Sequence, residues 1–147
     1  MDKFEALQEF FIGKDIVPKG KFDCWVEGAE TAFIAKDTPD GFHLLDFEYL
    51  AVFSFEDCKQ HAFIVPALAH CWLSDHDMGR DESRLGRVKE NITQESKGCY
   101  SIDLQIKFIE KVYIHQDDTG QIEYNGQMWT GGALAAAIVR NVDIKNT

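Results

Sequence analysis

Residues 47–73 constrain this chain most, because the spacing of their apolar side chains changes period midway. In residues 42–55, Phe47, Tyr49, Ala51, Phe53 and Phe55 recur at every second position, with Asp46, Glu48 and Ser54 between them. A period of two is that of a β-strand with one buried face. Leu50 and Val52 interrupt the polar side, so that face is expected to be partly covered as well. Beyond the acidic break at Glu56 and Asp57, Ile64, Leu68, Cys71 and Trp72 fall at helical spacing, with Phe63 and Ala67 on a neighbouring stripe. The pattern predicts a long helix over about 59–73. Pro66 removes an amide donor within it and costs about 3 kcal/mol in a helix interior. The helix therefore either bends there, the favoured reading, or starts near Val65 with Pro66 in its first turn.

Residues 99–109 give the second sheet signal. Tyr100, Ile102, Leu104, Ile106 and Phe108 face one way, and Ser101, Asp103, Gln105 and Lys107 the other, as in a half-buried antiparallel strand. Near the start, Phe4, Leu7 and Phe11 are helically spaced, with Asp2 as an N-cap and Gly13 as a stop. Short strands are expected at 21–26 and 31–35 on either side of a turn at 27–30, and a weaker one within 85–95. Asn125-Gly126 is a hairpin signal. Residues 74–83 read as a polar loop. These elements predict an α+β fold: a mainly antiparallel sheet on 42–55 and 99–109, the long helix packed on one face, and an N-terminal helix.

With 147 residues, no linker and no repeat, the chain reads as a single domain. Its 11 Phe residues argue for a real core. A net charge of -10 discourages nucleic-acid binding by direct readout, because neutralising phosphates needs clustered Lys and Arg. No apolar run approaches the ~20 residues that span a bilayer, so no membrane partner is expected. The acidic start lacks a signal-peptide pattern. Cys24, Cys58, Cys71 and Cys99 are dispersed, as suits free thiols in a reducing cytosol.

Cys58, His61, His70, Cys71 and His76 invite a zinc or thiol-enzyme reading. Adjacent His70 and Cys71 point about 100° apart on a helix, however, and two ligand pairs at standard spacing are missing. Packing and loop roles are expected instead, with no cofactor, no metal and no catalytic residue. Gly131-Gly132 lacks the surroundings of a nucleotide loop. The uncharged run 129–139 reads as a last helix or as a C-terminal arm (129–147) that buries its surface on another subunit. Trp129, Leu134, Ile138 and Val139 are its candidate interface residues, with core and interface both open for Trp129.

The chain resembles the gpR-like tail completion proteins of contractile-tailed bacteriophages. The resemblance rests on the strand Tyr49-Leu-Ala-Val-Phe-Ser-Phe55, the break at Glu56-Asp57, the run Phe63-Ile-Val-Pro-Ala-Leu-Ala69, the pair Trp72-Leu73 and the strand Ser101-Ile-Asp-Leu-Gln-Ile-Lys-Phe108. Upstream, Phe22-Asp-Cys-Trp-Val-Glu-Gly28 occupies the place of a short strand and its glycine turn. His70-Cys71 stands as an insertion, and the Ala-rich end replaces a polar, proline-rich tail. The resemblance implies a non-enzymatic virion tail component, assembled in the bacterial host cytoplasm, that completes or caps the head-proximal end of the tail. It implies a homo-oligomeric ring, commonly a hexameric ring, meeting tail tube, sheath and head-tail connector proteins. The alternatives are a small metal-dependent or thiol enzyme using residues 58–76, or a cytosolic adaptor domain.

Overall fold

The computed structural model describes residues 1–132. In chain order the elements are α1 (Asp2–Lys14), β1 (Phe22–Thr38), β2 (Gly41–Cys58), α2 (Ile64–His76), α3 (Glu82–Leu85), β3 (Lys89–Ser96), β4 (Cys99–Gln116), β5 (Ile122–Tyr124) and β6 (Gln127–Gly132). The six strands form one sheet in the order β1-β2-β4-β6-β5, with β3 paired to β4 off that path. The α+β class with an N-terminal helix follows the sequence; the long helix does not. Both longer helices have 13 residues.

The chain divides into two compact units. One comprises Lys3–Ala29 and Tyr49–Phe108. Its core is what the alternation predicts: Tyr49, Ala51, Phe53 and Phe55 of β2 and Ile102, Leu104, Ile106 and Phe108 of β4 are all buried. Val52, on the interrupted polar side, is buried too. Leu7 and Phe11 of α1 complete this core, and the Phe11 ring meets Phe53 and Phe55 edge-on, with centroids 5.5 and 5.0 Å apart. Each such aromatic or aliphatic side chain contributes about 1.5–3 kcal/mol by leaving water.

Helix α1 runs through Gly13 rather than stopping there. It ends at Lys14, after which Asp15 takes a left-handed φ of 52° and its amide donates to the Ile12 carbonyl at 3.2 Å. Helix α2 begins at Ile64, not near 59. Pro66 is its third residue, where the missing amide has no helical carbonyl to reach, so no bend is required. Asp57, with φ 55°, turns the chain at the end of β2, and Cys58 remains in the strand. Val65, Ala69, Trp72 and Leu73 form the buried stripe of α2, and the Trp72 ring meets Phe108 edge-on.

Two further expectations are corrected. Residues 22–38 are one strand, not two joined by a turn at 27–30; Gly28 and Ala35 take left-handed φ values without ending it. Such residues kink a strand as bulges do. The strand expected in 85–95 is confined to Lys89–Ser96 and is exposed on both faces, while α3 occupies 82–85.

The other unit comprises Met1–Asp2, Glu30–Glu48 and the chain from Ile109 onward. Leu44, Ile114 and Trp129 form its core, with Phe42, Leu45, Ile122 and Tyr124 packed against them. The hairpin β5–β6 turns at Asn125 and Gly126, both left-handed, as its sequence predicts. Strand β6 lies antiparallel to β4, placing Gly131 opposite Ile114 and Gly132 opposite Tyr113. A Cβ on Gly131 would collide with the Tyr113 carbonyl. Gly131 serves close strand approach.

Candidate functional site

The residues that invited a metal or thiol site have separate local partners. Cys58 is buried at the end of β2, and Cys71 is exposed on α2. The His61 ring lies against Phe63, His70 pairs with Glu90 at 3.0 Å, and His76 stacks on Trp72 with its Nδ1 3.2 Å from the Trp72 carbonyl. Among the described residues no group of three or more His, Cys, Asp or Glu is arranged to hold a metal ion. Burial raises the Cys24 thiol above its ordinary range, and the Asp23 carboxylate adds to the rise. A thiol so placed stays protonated and is a poor nucleophile at neutral pH.

The polar stretch after α2 holds a cluster that its composition does not announce. Asp77 and Arg80 are 6% and 8% exposed at their side chains. Asp77 accepts from Lys3 Nζ at 2.8 Å and from Arg80 Nη1 at 3.1 Å, and the same Nη1 donates to the Lys107 carbonyl at 2.7 Å. The guanidinium lies 5.7 Å from the centre of the Phe108 ring, a cation–π contact. Two cations, one buried and one partly exposed, thus share one buried carboxylate, tying α1, the segment after α2, and β4. The i, i+3 spacing of Asp77 and Arg80 is visible in sequence, but their burial is set by Lys3 and Lys107, both distant along the chain.

In the other unit His43 Nε2 is 2.7 Å from Asp46 Oδ1, and its ring stacks on Tyr113. The pair lies where inward burial along β2 changes phase, from Leu44 and Asp46 to Tyr49 and Ala51. Glu110, also buried, accepts from the Asp2 amide at 3.0 Å. These contacts tie strands and the chain start together.

What the fold presents outward is strand edge. Strand β1 stands at one end of the strand order and is exposed over most of its 17 residues, including Trp25 and Phe33 (41% and 69% exposed). Strand β3 is exposed at all eight residues. Exposed edges offer unpaired backbone groups to another chain. An open cleft of about 400 Å³ lies between the end of α1 and β1, lined chiefly by Phe11, Ile12, Ile16, Val17, Pro18 and Phe22.

Of the predicted interface residues, Trp129 lies in β6, 7% exposed, with Nε1 donating to the Tyr124 carbonyl at 2.7 Å and its ring against Phe42. It fills the core of its own unit. Leu134, Ile138 and Val139 lie outside the described residues, as does the arm from 133 onward. No helix among the described residues is long and apolar enough to cross a membrane.

The family P2 phage tail completion protein R (GpR) matches the chain over residues 1–133. No curated protein and no solved structure matches the chain.

Proposed function

The chain belongs to the P2 phage tail completion protein R family and is a structural component of a phage tail, and from this premise we propose that it closes the head-proximal end of a contractile tail by assembling as a ring on the tail tube. The carrying observation is the extent of the match: residues 1–133 include every described element, so the resemblance is to a whole fold and not to one motif. The surface agrees with an assembling protein. Its exposed features are strand edges and isolated apolar side chains, and its buried polar groups are joined in pairs that fix the scaffold. The alternative thiol or metal chemistry gains no support from the separate settings of Cys58, His70, Cys71 and His76.

The ring is homo-oligomeric, built in the host cytoplasm, and docks tube and sheath on one side and head-tail connector proteins on the other. Heterologous contacts that close give such a ring, whereas contacts that fail to close give filaments. The segment 133–147, apolar over 133–139, acts as an arm between subunits, with Leu134, Ile138 and Val139 as its contact residues. Because Trp129 belongs to the core, the informative truncation is after Gly132 and not before Trp129.

Sedimentation and negative-stain imaging of the purified full chain test the proposal. Ring-shaped particles are expected from the full chain, and a folded monomer from the 1–132 truncation. A full chain that stays monomeric at every concentration contradicts the ring. A truncated chain that forms the same rings contradicts the arm.

A further inference from the structure

The unit formed by Lys3–Ala29 and Tyr49–Phe108 has a different open edge at each end of its strands. Its strands run β1, β2, β4, β3, so the first half of β1 bounds one side and β3 the other. On β1, which ends the strand order, the Cys24 amide donates to the neighbouring Asp23 carboxylate at 2.9 Å. Strand β3 is paired with β4 from Lys89↔Gln105 to Ser96↔Cys99, and its other side meets no strand among the described residues.

The two edges differ in charge. Residues 22–29 of β1 contain Asp23 and Glu27 and no Lys or Arg. Around β3 stand Arg87, Lys89 and Lys97, all exposed. The acids on β3 are Glu90, which pairs with His70, and Glu95, so residues 87–97 carry three bases against two acids. In a chain with 25 acidic and 15 basic residues, a basic edge is a departure from the average. Each edge also carries one large exposed apolar side chain, Trp25 on β1 and Ile92 on β3, each 41% exposed.

Charge on an edge usually keeps strands apart. Here like edges repel, acid against acid and base against base, while unlike edges attract. That selects a head-to-tail contact over a two-fold one. We propose that β1 of one copy pairs edge to edge with β3 of the next copy, setting Asp23 and Glu27 against Arg87, Lys89 and Lys97, with Trp25 and Ile92 covered at the junction. The occupant of each edge is a second copy of this chain. The inference rests on the ring reading above and assigns the surfaces that make the ring.

Charge reversal tests it. One variant carries Asp23→Lys with Glu27→Lys, the other Arg87→Glu with Lys89→Glu; all four positions are exposed, and thermal melts confirm that each variant folds. Like charges brought together at a contact cost several kcal/mol, so each variant alone self-associates on the order of 100-fold more weakly. In an equimolar mixture every basic edge finds an acidic one, and the oligomer returns with the two variants alternating. The assignment is overturned if either variant alone assembles like the unmodified chain, or if both lose assembly and the mixture fails to recover it. An unmodified chain that never assembles overturns the ring reading as well, which separates the two failures.

Discussion

At the residue scale, the buried charges are the most consequential groups. Asp77 and Arg80 are both buried at their side chains, so removing the carboxylate leaves the Arg80 guanidinium buried without its counter-charge. Breaking a buried pair from one side typically costs about 3–5 kcal/mol. Asp77→Ala is therefore expected to lower the midpoint of urea unfolding by that amount of stability, and an unchanged midpoint would refute the role. Two exposed aspartates act through local turns. Hydrogen bonds from the Thr119 amide and hydroxyl hold the Asp117 carboxyl below the usual range, and the Ser83 hydroxyl, with backbone amides, does the same for Asp81. A carboxyl lowered by folding contributes stability that is present above its unfolded pKa, about 3.9, and is lost as pH falls through the lower folded value. Melting temperature should fall as pH drops from about 5 to about 2, and Asp81→Asn with Asp117→Asn should reduce that fall. An identical pH profile in the double variant would show that these turns contribute nothing.

At the element scale, the period-two strands were legible because one face of each is a continuous apolar row. Tyr49 to Phe55 and Ile102 to Phe108 are buried as their alternation requires. The start of α2 was legible only as one of two options, and the place of Pro66 in the first turn decides between them. Strand β1 suggests two strands in sequence because glycine with flanking acids suits a turn and a kinked strand alike. Only pairing with β2 distinguishes them, and that is non-local. The buried pair Asp77–Arg80 was hidden for the same reason: its partners are Lys3 and the Lys107 carbonyl. Gly131-Gly132 has no nucleotide motif around it, and the use of Gly131 in β6 appears only beside Tyr113. Gly131→Ala forces β6 away from β4 and should cost about 1–3 kcal/mol in thermal or chemical unfolding, as overpacking does. A variant as stable as the unmodified chain would show that the strands accommodate the methyl group.

At the scale of the whole molecule, the resemblance carried by short apolar segments agrees with a family match over residues 1–133. The agreement has a physical basis. The segments quoted for it are largely the buried rows of β2, α2 and β4, which determine the fold and leave the surface free to vary. The assembly surface was the less legible part. Trp129 carried the composition of an interface residue, yet its indole fills a core with Leu44 and Ile114. The edges of β1 and β3 acquire meaning only when the strand order places them at opposite ends of one unit. Electron microscopy of tails made with and without this chain, followed by adding back the purified protein, tests tail completion most directly. Tails lacking it are expected to have no terminal ring and not to join heads, and adding the full chain is expected to restore both. Tails that are ringed and joined to heads in its absence would contradict the account.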